Sequence, residues 1–391
     1  MNRFAEQVAA TARDIAGDVV RMRRDLHRHP ELSWNERRTT YRIAEALESA
    51  GLVPVVRPDG VGLVVEIGEG SPIVGFRADI DALPIAEATG LPYRSMNDGV
   101  MHACGHDAHA AVGVGIARVL TTIGRLPGTV RIIFQPAEET LPSGAAALIA
   151  EGAHADLRSV IAFHVDPTIP AGAVGLRSGP VTSAADKIRL LLTGPGGHTS
   201  RPERTVDLVR VAASIVADLP DRIRNEVAPE HHLAIAFGRI CGGQAANAIP
   251  TEIELTGTVR VQDGAVWHSL PGIIDRSLRS VIAGSGAGVE LDHRRGSPPV
   301  DNDPAVITEV RDAAWALPVP VEVVPTPQSM GSEDFSWFLE HVPGALVRLG
   351  VGTDGEPVDL HSPTFVLDEA ALEYGVAVGA LSLIRLMERS S

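Results

Sequence analysis

Two cysteines, Cys104 and Cys241, are all the chain carries in 391 residues, and they lie far apart. That excludes a disulfide framework and fits a reducing compartment. Aromatic residues make up only 4%, so a core must be built mainly from aliphatic side chains, in keeping with the bias toward Ala, Val and Gly. No uncharged apolar stretch reaches the roughly 18 residues of a membrane-spanning helix, so no membrane association is expected. The first residues read as an amphipathic helix with scattered charges and not as a basic region followed by an apolar one. No signal peptide is therefore expected, and the cytoplasm is the expected location. Lys and Arg number 34 against 49 Asp and Glu, a formal net charge of −15 that argues against a nucleic-acid partner. Internal repeats and low-complexity segments are also lacking.

A chain of 391 residues exceeds what one hydrophobic core usually supports, so two domains are expected. Residues 36–51 have helical periodicity and end at a glycine. Short apolar runs at 62–67, 73–76, 129–134 and 160–163 read as strands, with helical stretches at 109–120 and 144–150 between them. This alternation predicts an α/β domain with a mixed, largely parallel sheet flanked by helices. From 185 to 294 the rhythm changes. Strands at 186–192, 232–240, 252–261 and 288–293 enclose helices at 206–219 and 266–283, which is the βαββαβ order of a ferredoxin-like unit. Residues 304–315, 345–349 and 369–387 return to α/β character. The expected organisation is a catalytic domain of 1–184 and 295–391 with an inserted domain of 185–294.

Four of the short strands lead to residues with metal-ligand chemistry. The run 73–76 enters Arg77-Ala-Asp79-Ile-Asp81, and the run ending at Phe134 enters Gln135-Pro-Ala-Glu138-Glu139. The third ends at His164, and the fourth leads through a loop to Asp359-Leu-His361. Ligand sites in open parallel sheets form outside the carboxyl ends of the strands, so these four deliveries point to one site. The densest cluster is MHACGHDAH, residues 101–109. Cys104 and His106 there sit on a loop entering a helix, where a thiolate and an imidazole suit zinc-like ions. A helix N-terminus tends to lower a thiol pKa, which suits metal binding. His102, Asp107 and His109 are expected to support the ligands or cap the helix. Glu138 and Glu139 follow a buried strand, where adjacent carboxylates are costly without compensating positive charge. One would bind metal while the other takes a proton from water, and the residues alone leave open which does which.

These residues, in this order, resemble the aminoacylase, hippurate hydrolase and auxin-conjugate hydrolase family of dinuclear metal-dependent amidohydrolases, in its cysteine-bearing branch. The matching stretches are RRDLHRHPELSWNE, GFRADIDALPI, MHACGHDAHAA, VRIIFQPAEE, GGHTSRP, GGQAANAIPTEIELTGTVR, GSEDF and HSPTFVLDEAAL. The resemblance implies that Cys104, His106, Glu139, His164 and His361 hold two divalent cations, zinc or manganese, with cobalt or nickel as alternatives. Glu138 takes the position of the general base, and Asp79 that of an acidic group supporting the site. Related branches carry a metal-binding histidine where this chain has Arg77, which cannot be a ligand. The inserted domain is implied to make a homodimer, in which His198 reaches the neighbouring subunit's site and stabilises the oxyanion. Asn247 and Arg260 match positions that bind the substrate carboxylate or carbonyl, a task for which a guanidinium is well suited. Gly331 and Ser332 lie in a stretch that lines the substrate pocket. Glu203 is a departure, since relatives often carry histidine there. His27 and His29 read as hydrogen-bonded structural groups.

The implied reaction is hydrolysis of an N-acyl amino acid (N-acetyl, N-benzoyl or similar) to a carboxylic acid and an amino acid. A dipeptidase or a deacetylase of diaminopimelate-type substrates has the same implied fold. A serine hydrolase would need a nucleophile elbow, and no G-x-S-x-G occurs. Gly113 to Arg118 suggests a dinucleotide loop but lacks the third glycine. A non-enzymatic metal-binding scaffold would require neither Glu138 nor His198.

Overall fold

The computed structural model describes residues 2–319, 321–353 and 355–389. The chain forms two compact units. One runs to Val181, resumes over Asp301–Pro327 and continues from Asp334. The other comprises Thr182–Val300 with Gln328–Glu333.

The first unit is built on an eight-stranded mixed sheet. Its centre is parallel: Thr129–Gln135 pairs with Ile73–Asp79, which pairs with Leu157–Pro170, which pairs with Gly344–Gly352. Leu63–Gly68 adds antiparallel to Thr129–Gln135, and Ala173–Leu176 antiparallel to Gly344–Gly352. Burial on both faces explains why the central strands read as continuous apolar runs and not as alternating ones. The strand expected over 73–76 extends through Asp79, with Arg77 and Asp79 both fully buried. Charged residues can end a central strand in this way because they are paired with each other (Arg77 Nη1 to Asp79 Oδ2, 2.6 Å).

The helix His106–Ile123 is buried along most of its length. It packs against the helices Asn2–Arg28 and Ala371–Glu388, and small residues make the approach close enough. A Cβ on Gly115 would stand 2.4 Å from Val376 Cγ2, and one on Gly113 would stand 2.9 Å from Phe134 Cε1. The scarcity of aromatics and the Ala and Gly bias thus belong to a core of closely spaced helices. The helix Pro304–Ala316 starts where Asp303 accepts from the backbone of Ala305 and Val306 with proline in the first turn.

The second unit carries an antiparallel sheet in the order Ala234–Gly242, Glu252–Val261, Ala184–Thr193, Gly288–Arg294. Burial alternates along Ala184–Thr193, as in a strand with one face covered. Two helices, Leu208–Asn225 and Gly264–Ile282, complete the βαββαβ order, each capped by an aspartate (Asp207 and Asp263). A small ribbon pairs Gly197–His198 with Ala248–Ile249. Gln328–Glu333 joins this unit through Ser183, whose backbone N–H donates to Gly331 O at 2.8 Å and whose hydroxyl donates to Met330 O at 2.8 Å.

Candidate metal centre

Cys104, His106, Glu138, Glu139, His164 and His361 come together from a helix start, the turn after Thr129–Gln135, a strand and a loop. His164 lies within Leu157–Pro170, which continues past the end expected after 163 because Gly344–Gly352 pairs alongside it. Donor atoms of Cys104, His106 and His164 lie within 4.8 Å of one another. The same holds for Cys104, Glu139 and His361, and for His106, Glu138 and Glu139. Each is placed by its own element. Gly105, between Cys104 and His106, has φ +80, and a Cβ there would stand 2.5 Å from Val165 Cγ2. Glycine is therefore required both for the backbone turn and for contact with the His164 strand. Ala137 adopts φ +54, an uncommon conformation for a residue with a side chain. It is held by Glu36, whose Oε1 accepts its N–H at 2.8 Å, and by Gly144, whose N–H donates to its carbonyl. His361 is likewise left-handed (φ +64), and its N–H donates to Ala103 O at 2.8 Å, tying its loop to the cysteine loop. Such conformations persist where surrounding bonds over-determine them.

The ring nitrogens decide what each histidine has left to offer. His106 Nδ1 lies 3.1 Å from Asp81 Oδ1, which leaves Nε2 buried with no hydrogen-bond partner among the described residues. His164 donates Nδ1–H to Val165 O at 2.8 Å, and its Nε2 faces Cys104 Sγ at 3.5 Å. Burial, aided by Arg348 and His109, holds His164 well below the ordinary imidazole pKa, so its ring is neutral and its lone pair available. Glu139 Oε1 is buried 3.9 Å from His106 Nε2 and 3.2 Å from His361 Nε2, whose pKa it raises; among the described residues it has no hydrogen bond of good geometry. Burial opposes a charged His106, yet without a cation Asp79, Cys104 and Asp81 hold it well above the ordinary imidazole pKa. A cation would take the place of that proton, and two buried unengaged atoms beside a thiol and a neutral imidazole fit such a cation.

Position at a helix N-terminus predicts a lowered thiol pKa for Cys104. Burial instead pushes it up to about 12. Desolvation of a fully enclosed thiolate outweighs the helix end, so a thiolate here requires a cation beside it.

Asp79 lies near the cluster, with Oδ2 3.8 Å from His106 Nε2, but its hydrogen bonds run elsewhere. Oδ1 accepts from His109 Nδ1 and Oδ2 from Arg77, each at 2.6 Å. Burial opposes its charge, yet His106, His109 and Arg77 hold it well below the usual carboxylate range. The carboxylate that orients His106 is Asp81, which sequence reasoning left without a role. It also accepts from Glu139 N (3.0 Å) and Ser33 Oγ (2.7 Å). The R-x-D-x-D spacing from Arg77 to Asp81 is the signal that could have found it, because alternate residues share a side of an extended chain. His109 has both nitrogens engaged, by Asp79 and by the N–H of Val165.

His198, Asn247, Arg260, Gly331 and Ser332 all lie in the second unit. The ribbon brings the first two together: His198 pairs with Ala248, and Thr199 N donates to Asn247 O. His198 is exposed, and its Nδ1 accepts from Ser200 N (3.1 Å) and sits 2.8 Å from Ser200 Oγ. With Nδ1 accepting from Ser200 N, the ring proton of the neutral form sits on Nε2. Arg260 donates to Met330 O at 2.7 Å, next to Gly331.

Below the cysteine helix, His27 lies between Asp107 (2.9 Å) and Glu87 (3.3 Å), while Arg23 donates to the same Asp107 oxygen at 2.9 Å. His29 reaches Asp25 O at 2.9 Å. Burial disfavours a charged His27, but Asp107 and Glu87 prevail and raise its pKa from 6.5 to about 9. The folded protein therefore binds a proton here between these values that the unfolded chain does not. The stabilisation is complete below about 6.5 and is lost as pH rises through about 9. At about 1.4 kcal/mol per pKa unit, it is on the order of 3 kcal/mol. Urea midpoints measured from pH 6 to 10 should fall across this window, and His27→Gln should flatten the decline.

A family model described as peptidase family M20/M25/M40 matches residues 75–385. A Rhodococcus jostii protein provisionally named glutamate–cysteine ligase 2-3 is 42% identical over 375 residues, covering 95% of this chain but 47% of that protein. The chain thus spans about half of that relative, whose name describes a longer protein. The N-acetylcysteine deacetylase of Bacillus subtilis is 36% identical over 362 residues, 90% of this chain and 93% of that enzyme. The crystal structure of a dinuclear metal-binding M20 peptidase from Bacillus subtilis matches with a TM-score of 0.84 and 33% identity, over 96% of this chain and 99% of that one. The chain belongs to peptidase family M20/M25/M40 and is a hydrolase of amide bonds.

Proposed function

We propose that the chain hydrolyses N-acyl amino acids in the cytoplasm with two divalent cations held by Cys104, His106, Glu139, His164 and His361. The observation that carries this reading is the convergence of those five donors, two of them with orphaned buried atoms, beside the further carboxylate of Glu138. The relatives named an N-acetylcysteine deacetylase and a dinuclear metal-binding peptidase support it. The thiol favours zinc among the candidates, with manganese, cobalt or nickel compatible with the imidazoles and the carboxylate.

Bound cations supply Lewis acidity toward a water and toward the amide carbonyl. Glu138 takes a proton from that water as its oxygen bonds to the carbonyl carbon. His198 Nε2–H donates to the carbonyl oxygen as negative charge develops there. Glu138 then passes the proton to the amide nitrogen, the C–N bond breaks, and a carboxylic acid and an amine leave. Arg260 and Asn247 hold the amino-acid carboxylate, with Gly331 and Ser332 shaping the pocket beside Arg260. Asp79 supports the centre and takes no proton, because both its oxygens are engaged.

His198 serves the site of a second copy in a homodimer formed through the second unit. Exposed apolar residues there support this role for the unit: Val209 and Val216 on one helix, and Ile240 (58% exposed) on the outermost strand. Assays with N-acetyl and N-benzoyl amino acids, with and without chelator, test the reading. Release of free amino acid that stops on chelation and returns with zinc or manganese is the expected result. Metal binding without turnover of any N-acyl amino acid or dipeptide would favour a scaffold instead.

A further inference from the structure

Arg77 is a fully buried arginine, bonded to Asp79, that none of the chemistry above uses. Its guanidinium donates in three directions. Nη1 reaches Asp79 Oδ2 at 2.6 Å, Nε reaches Gln135 Oε1 at 2.9 Å, and Nη2 reaches Asp334 Oδ1 at 2.6 Å. Gln135 closes the figure by donating Nε2 to both oxygens of Asp334 at 2.8 Å, and Ala145 N donates to Asp334 Oδ2 at 3.1 Å. One arginine thereby joins the ends of two parallel strands to the first residue after Gln328–Glu333. Asp334 belongs to the GSEDF stretch read from sequence as pocket lining, yet it is 2% exposed and points into this network.

From Arg77 the hydrogen bonds continue without a break toward the cysteine. Asp79 Oδ1 binds His109 Nδ1 at 2.6 Å, and His109 Nε2 accepts the Val165 N–H at 2.9 Å. Val165 O accepts Nδ1–H of His164 at 2.8 Å, and His164 Nε2 faces Cys104 Sγ at 3.5 Å. Every member is buried, so each bond restricts the next, and no solvent competes for it.

We infer that Arg77 is a positioning residue of the metal centre, fixing through Asp79, His109 and Val165 the ring orientation and tautomer with which His164 meets a cation. The inference rests on the metal centre proposed above. A methionine at 77 fills similar space but leaves Asp79 and Asp334 buried without their cation, and Asp79 free to turn toward His106. A lysine restores one charge but cannot span three acceptors. Asp334→Asn removes Arg77's second carboxylate partner and alters no proposed ligand; its carboxylate lies within 4.8 Å of that of Glu138, so metal affinity and not turnover is the readout.

The test is competition of full-length protein against a chelator for Zn(II), together with the visible spectrum of the Co(II)-loaded form. Circular dichroism verifies that each variant is folded. Arg77→Met and Asp334→Asn are expected to weaken metal affinity by about 10–100-fold, the effect of disturbing groups that orient ligands, with Arg77→Lys intermediate. The Co(II) bands should shift in the same order. A merely structural arginine would lower Tm and leave affinity and spectrum alone. Wild-type affinity and an unchanged spectrum in folded Asp334→Asn overturn the inference, and this variant decides alone if those at 77 do not fold. A wild-type chain that takes up no Zn(II) or Co(II) would overturn the metal centre itself.

Discussion

Glu138→Ala is expected to reduce kcat by about 10²–10⁴-fold, the range for loss of a positioned general base, with metal content near that of the wild type. The two halves of this expectation come from different parts of one turn. Glu139 is anchored through its backbone N–H to Asp81, the same carboxylate that orients His106, and its orphaned Oε1 faces His106 and His361. Glu138 shares the site with His106 and Glu139 without entering the group formed by Cys104, Glu139 and His361. Removing its carboxylate should therefore empty the proton-transfer position and leave the ligands standing. The turn itself depends on Ala137 and on the hydrogen bond its N–H donates to Glu36, neither of which the substitution touches. Steady-state kinetics and elemental analysis of the same preparation make the comparison. A variant that keeps most of its turnover would place the base elsewhere, and one that loses both activity and metal would make Glu138 a ligand.

Cys104→Ala should have the opposite pattern, with metal loss as its primary effect. The thiol takes part in two of the donor groups, with His106 and His164 and with Glu139 and His361, so its removal weakens both sides of the cluster. Burial holds the free thiol up to about 12, which means the site favours a neutral group until a cation is present. Alanine should consequently be tolerated by the fold, since it leaves no buried charge behind. Expected are a fall in metal affinity of at least 10–100-fold and loss of the thiolate-to-metal charge-transfer band in the Co(II) form. Retention of that band would remove Cys104 from the ligand set.

Much of the first unit was legible because parallel strands buried on both faces must be apolar. The runs at 73–76, 129–134, 160–163 and 345–349 all fall within strands of the central sheet. Extents were less legible. Arg77 and Asp79 look like the polar end of a strand, and only their mutual pairing, with Gln135 and Asp334 brought from distant segments, lets the strand continue through them. Strands Ala173–Leu176 and Glu322–Pro325 were missed, being short and far apart in sequence, with a parallel pairing that no local pattern announces. Asp334 was given no role of its own, because the arginine it meets lies 257 residues away in the chain.

What the sequence determined by itself was the inventory of the candidate site: a thiol and an imidazole one residue apart, adjacent carboxylates after a strand, and histidines at two further strand ends. Those are local properties, carried by neighbours along the chain. Which atoms of these groups are left without a hydrogen bond among the described residues was decided only by the tertiary structure. His106 and His109 stand on one helix and look alike in sequence, yet Asp79 and Val165 use both nitrogens of His109, while Asp81 uses one of His106 and leaves the other bare. Helix position predicted an acidic Cys104, and enclosure reversed it. Hydrogen-bond partners and desolvation are set by segments 25 to 257 residues away in the chain, and only folding brings those within reach.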